Sequence, residues 1–127
     1  TAIVTAVMIC KGGERVISID NNFNIEASQY DTYTIRFKFK DYVLTGDDKF
    51  RFSIKATSNS TDVVFSKDVY NAGFNYVDLS IALGELDNLA PDTYVYDVAI
   101  INKNTKKITT LIWSAYFMIK GVAHNVD

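Results

Sequence analysis

Cys10 and His124 are the only cysteine and the only histidine of the chain, and they lie near its opposite ends. A thiolate beside an imidazole is a nucleophile–base pair, so the two would support covalent chemistry if the fold joined them. The simpler reading is a small buried or interfacial thiol and a histidine in a polar tail. One histidine cannot build a His-based metal site. One cysteine excludes an intramolecular disulfide framework and a Cys-based zinc site. Asp41, Asp47 and Asp48 share a loop, as calcium ligands do, but their spacing lacks the EF-hand pattern and its terminal Glu. They read as solvated turn residues. Asp92 and Asp97 are close in sequence, and Asp97 alternates away from Tyr94 and Tyr96, which points to solvent or an interface rather than catalysis. Glu14, Glu26 and Glu85 are scattered and form no acid–base pair. No Gly-rich phosphate loop and no nucleophile elbow occur. The expectation is a protein without catalytic residues, cofactor or metal.

Binding chemistry is equally bounded. A net charge of −2 gives no basic field for nucleic acid or an anionic membrane. Arg36, Lys38, Arg51 and Lys55 suggest a basic stripe over neighbouring strands, but no aromatics interleave with them as in a nucleic-acid platform. They read as a charged outer face that discourages edge pairing. Asn59-Ser60-Thr61 matches a glycosylation sequon, which without a secretory signal is a polar loop. Ala2 to Cys10 is apolar but lacks a positive segment before it, and no apolar run reaches the roughly 20 residues of a membrane helix. A single cysteine fits assembly in a reducing cytoplasm.

The elements that must position these residues are strands. Tyr33, Ile35, Phe37 and Phe39 alternate with Thr34, Arg36, Lys38 and Lys40. Phe50, Phe52, Ile54 and Ala56 alternate in the same way with Lys49, Arg51, Ser53 and Lys55. A period of two with one apolar face is the pattern of a half-buried antiparallel strand. A one-residue slip would bury the charged set, so the register is strongly specified. The stretch from Asp92 to Ile119 reads as a long hairpin around the polar turn 102–107. Tyr94, Tyr96, Val98 and Ile100 share one face of its first strand, and Ala115, Phe117 and Ile119 share one face of its second. That apolar face needs a second sheet to cover it. Shorter strands are expected near residues 15–20, 23–25, 63–66 and 74–81, with one helical turn near Leu83 to Ala90. The expected core comprises Tyr33, Ile35, Phe37, Phe39, Phe50, Phe52, Ile54, Val98, Phe117 and Ile119. Together these describe an all-β chain: a single immunoglobulin-like antiparallel β-sandwich of about seven or eight strands. One domain spans residues 1–127, with an N-terminal strand or arm over 1–11, the sandwich over 12–120 and a polar tail over 121–127.

Leu86-Asp87-Asn88-Leu89-Ala90-Pro91-Asp92-Thr93-Tyr94-Val95-Tyr96-Asp97-Val98, followed by Lys106-Lys107-Ile108-Thr109-Thr110-Leu111, resembles the N-terminal immunoglobulin-like domain of upper baseplate proteins from tailed phages of Gram-positive hosts. Tyr30 to Lys40 and Phe50 to Lys55 resemble earlier strands of that domain, so the likeness covers about residues 17–120. The family has Pro-Gly where this chain has Pro91-Asp92, and a glycine of its last strand is replaced, with Ala115 nearest. More broadly the chain resembles phage virion β-sandwich accessory proteins. The resemblance implies a virion structural protein, assembled in the host cytoplasm, that binds capsid subunits, tail or baseplate subunits, or further copies of itself. The alternative is a soluble carbohydrate- or ligand-binding β-sandwich with exposed Tyr and Trp as its stacking platform.

Ile3, Val4, Val7, Met8 and Ile9 are the candidate interface residues. They belong to an uncharged segment that is apolar at both odd and even positions. The strands from Arg15 onward can fill the two core faces, so this segment is expected to pack against a neighbouring subunit, with the tail 121–127 as a weaker contact. An intradomain edge strand is the alternative.

Overall fold

The structure, a computed structural model, describes residues 3–9, 17–19, 22–28, 33–81, 85–86 and 88–121; for residues 3–9, 17–19 and 33 it describes the backbone only. Nine strands follow in order: β1 (Ile3–Ile9), β2 (Ile17–Ile19), β3 (Ile25–Ser28), β4 (Tyr33–Lys40), β5 (Asp48–Lys55), β6 (Val63–Val69), β7 (Tyr76–Ile81), β8 (Asp92–Asn102) and β9 (Ile108–Lys120). They form a three-stranded sheet of order β1-β4-β7 and a six-stranded sheet of order β2-β3-β9-β8-β5-β6. The run β9-β8-β5-β6 has the G-F-C-C′ order of variable-type immunoglobulin domains, and β1-β4-β7 supplies strands A, B and E.

The expected sandwich class is therefore the observed one. Two details differ. Among the described residues there are nine strands where about seven or eight were expected, and one pairing is parallel: β3 runs alongside β9, with Ile25 opposite Phe117. The short β3 comes from a segment whose two apolar residues gave little periodic signal. The turn expected near Leu83 to Ala90 is closed by the Leu89 N–H donating to the Leu86 carbonyl at 3.0 Å, and no helix occurs among the described residues.

The core lies between the sheets. Ile35, Phe37 and Phe39 of β4 and Val77, Leu79 and Ile81 of β7 are buried from one side, and Phe50, Phe52 and Ile54 of β5 from the other. Of the ten expected core residues, nine are buried; the side chain of Tyr33 lies outside the description. Phe52 packs between Tyr96 at 5.2 Å and Phe117 at 5.9 Å, measured between ring centroids. Antibody domains place a disulfide and a tryptophan in this region. Here an aromatic cluster fills it. Tyr94, two residues before Tyr96, donates its hydroxyl to the Ala90 carbonyl at 2.8 Å, which is the tyrosine corner of this fold. The Tyr96 hydroxyl donates to the Phe23 carbonyl and so ties β8 to the start of β3.

The expected basic stripe does not form. Arg36 and Lys38 stand on β4 in one sheet, whereas Arg51 and Lys55 stand on β5 in the other. Alternation assigns faces but not partners, and the loop 41–47 carries the chain across between sheets instead of forming a hairpin. Each guanidinium has its own partner: Arg36 Nε donates to Asp78 at 2.7 Å, and Arg51 Nε to Asp68 at 2.8 Å. The edge of β7 is covered by Lys67, whose Nζ donates to the Ser80 carbonyl at 2.5 Å and pairs with Glu85 at 2.9 Å. A lysine at this place obstructs further strand addition.

Candidate interaction surface

The outer face of the six-stranded sheet owes its shape to irregularities in β9. Val98 stands opposite Ile112 and Tyr96 opposite Ala115, so two steps on β8 match three on β9. Ala99 stands opposite Thr110, which adds a second extra residue on β9. A single extra residue reverses which face a side chain occupies, and a second restores the phase. The buried positions thus pass from Ile112 to Ala115, and Trp113 between them points outward at 71% exposure. Ser114 completes the bulge in the left-handed region at φ 54°. Its N–H donates to Asp97 Oδ1 at 2.6 Å, while Asp97 Oδ2 meets Lys55 Nζ at 3.2 Å. Asp97 therefore clips the bulge from β8. The Ser114 hydroxyl is buried and has no partner.

A shallow groove of about 240 Å³ lies beside the indole. Its polar lining includes Arg51, Ser53, Lys55, Asp97 and Thr110, and its apolar rim Val63 and Ile108. Ile108 and Val63 are 64% and 50% exposed. Hydrogen bonding to Arg51 holds the Asp68 carboxyl, on the neighbouring β6, below the usual range.

Ser114→Gly is expected to stabilise the protein by about 1 kcal/mol, because glycine takes this φ without strain and removes the unpaired hydroxyl, less its larger unfolded-state entropy. Denaturant titration checks this. A loss of stability would mean that the serine side chain supports the bulge.

The second polar centre is Asp48, which the sequence suggested as a solvated turn residue. It is 3% exposed. Its Oδ2 accepts from the Tyr42 hydroxyl at 2.5 Å and from the Thr45 N–H at 2.9 Å and hydroxyl at 3.1 Å. Its Oδ1 accepts from Asn102 Nδ2 at 2.9 Å. Burial alone would push this carboxyl up; the donors from Tyr42, the Thr45 backbone, Asn102 and the Thr45 hydroxyl outweigh it, and the carboxyl stays below its ordinary value. Burial, then the neighbouring Asp48, pushes the Tyr42 phenol up to about 12. The arrangement fastens the β4–β5 loop to the β8–β9 turn, helped by the Lys103 N–H donating to the Asp47 carbonyl at 2.9 Å. The β6–β7 loop joins the same end: Leu44 N–H donates to the Phe74 carbonyl, and Gly73 N–H, at φ 88°, to the Leu44 carbonyl. Four donors from Tyr42, Thr45 and Asn102 converge on the carboxylate and join the β4–β5 loop to the end of β8, which makes it a structural tie. Among the described residues no three His, Cys, Asp or Glu side chains gather as a metal site.

The five candidate interface residues fall on β1, the terminal strand of the three-stranded sheet. Val4 and Met8 stand opposite Phe39 and Ile35, the core positions of β4. Ile3, Val7 and Ile9 stand opposite Lys40, Arg36 and Thr34. Cys10, His124 and the tail 122–127 lie outside the described residues. No protein-family model matches the chain, and no match is found among curated proteins.

Proposed function

We propose that this protein is a non-enzymatic structural component of a bacteriophage particle that acts by binding neighbouring subunits. It would serve in capsid decoration or as a head accessory, or as part of a tail or baseplate. Its partners on this reading are other phage structural proteins or further copies of itself, its location is the virion, and assembly takes place in the host cytoplasm.

The observation that carries the reading is the register of β1. Residues directly opposite each other in an antiparallel pair belong to one face of the sheet. Ile3, Val7 and Ile9 therefore hold positions on the outer face, alongside the solvent-facing Lys38 and Lys40 of β4. Three apolar residues on the outer face of a terminal strand suit burial against a partner. The phage context comes from the resemblance of the β8–β9 region and β4 described above.

The double substitution Ile3→Glu and Val7→Glu tests this. Each new carboxylate stands opposite a cation, Lys40 or Arg36, so pairing within the sheet is retained. The expected result is a folded protein, by circular dichroism, that no longer copurifies with particles of its phage. Incorporation of the folded variant at the normal copy number would sink the proposal.

A further inference from the structure

We propose that the groove beside Trp113 is a saccharide-binding site, with the indole as the stacking face for one pyranose ring and Lys55, Asp97 and Arg51 as partners of its hydroxyls. A left-handed serine and a buried hydroxyl without a partner both cost free energy, and a glycine would avoid both. What this costly arrangement produces is an outward indole, 71% exposed, at the lip of a groove. Bulges re-aim side chains in this way at binding sites.

The floor of the groove selects the ligand. The Lys55–Asp97 pair retains only part of its contact with water, at 12% and 24% side-chain exposure. An apolar protein surface laid over it would strip that water and return no hydrogen bonds, which is unfavourable for a charge pair. A polyhydroxylated ring returns both donors and acceptors. Asp97 can accept further bonds, Lys55 has one donor beyond those directed at Asp97 and at the Ser58 carbonyl, 3.4 Å away, and Arg51 has donors beyond the two used by Asp68. Val63 and Ile108 then meet the C–H edges of the ring. At about 240 Å³ the groove lies below the roughly 300–1,000 Å³ of pockets for larger ligands, which limits it to one sugar over one aromatic.

The chain has one tryptophan, so its emission reports this site directly. The full chain is titrated with the methyl glycosides of glucose, galactose, mannose and N-acetylglucosamine into the millimolar range. At least one should give a saturable change in emission. Saturation-transfer NMR with the same sugar should lose its signal in Trp113→Ala. Lys55→Met keeps the aliphatic stem and removes the donors, and should weaken binding at least about tenfold. Absence of any response across the panel, or binding that survives Trp113→Ala, overturns the proposal. Loss of particle binding in Trp113→Ala without any sugar response would instead make this face a protein-docking surface, which also overturns it. The site lies on the opposite outer face from β1, so Ile3→Glu with Val7→Glu should leave sugar binding unchanged whether or not that variant still enters particles.

Discussion

Phe52→Ala should destabilise the protein by about 3–5 kcal/mol, the usual loss for an aromatic removed from a closed core. Phe52 is fully buried and touches three other rings, Phe65, Tyr96 and Phe117. Two of these belong to β8 and β9, so the cavity would open where the long hairpin meets β5. Its neighbours cannot collapse into the space easily. Tyr96 is anchored by its hydroxyl at the Phe23 carbonyl, and Phe117 stands between β8 and β3 in the ladder. Denaturant unfolding measures the effect as a lowered midpoint with an unchanged slope. A loss below about 1 kcal/mol would mean that the site repacks and that the aromatic cluster does not carry the core.

Asp48→Asn should cost about 2–3 kcal/mol at neutral pH. The change replaces a carboxylate that accepts four hydrogen bonds with a group whose NH₂ faces other donors. Its pH dependence separates this effect from simple misfit. The carboxyl of Asp48 is held below its ordinary value of about 3.9 in the folded protein. Its contribution is present above that value and is lost as pH falls through the lower folded one. The stability gap between wild type and Asp48→Asn should therefore narrow below about pH 4. Tyr42 gives the opposite limb. Its phenol is pushed up to about 12, so its contribution holds below about 10 and is lost as pH rises towards the folded value. Thermal melts across pH check both limbs. A gap that stays constant in acid would mean that the Asp48 charge plays no part.

The core was legible because β4 and β5 alternate without a break. Phe37, Phe39, Phe50 and Phe52 could be assigned inward from spacing alone, and all four are buried. What spacing could not supply was partnership. The same alternation is satisfied whether β4 and β5 pair or lie in opposite sheets, so spacing groups Arg36 with Arg51 whereas the fold separates them. Trp113 shows a second limit. In an unbroken strand a period of two sets it on the same face as Ala115 and Phe117, in the core. Two one-residue bulges in β9 shift the phase, and no glycine marks them. Asp48 was hidden for a different reason. Its partners come from the β4–β5 loop (Tyr42 and Thr45) and from the end of β8 (Asn102), and only Thr45, three residues earlier, gives a local hint. The tyrosine corner was local and thus readable in principle, since Tyr94 follows Ala90 by four residues.

The parallel pairing of β3 with β9 also bears on the order in which the chain can fold. The three-stranded sheet has all its strands once residue 81 has been made. The six-stranded sheet cannot close until β9 arrives, because β3 has no place in that sheet except against Phe117 to Lys120. During synthesis the N-terminal sheet must therefore wait, its apolar side only partly covered by β5 and β6, for a strand about ninety residues downstream of β3. Contacts of such long sequence separation slow folding, towards the millisecond-to-second range of β-sandwiches. Stopped-flow refolding followed by Trp113 emission would reveal it. A microsecond rate would mean that β3 is not needed for closure.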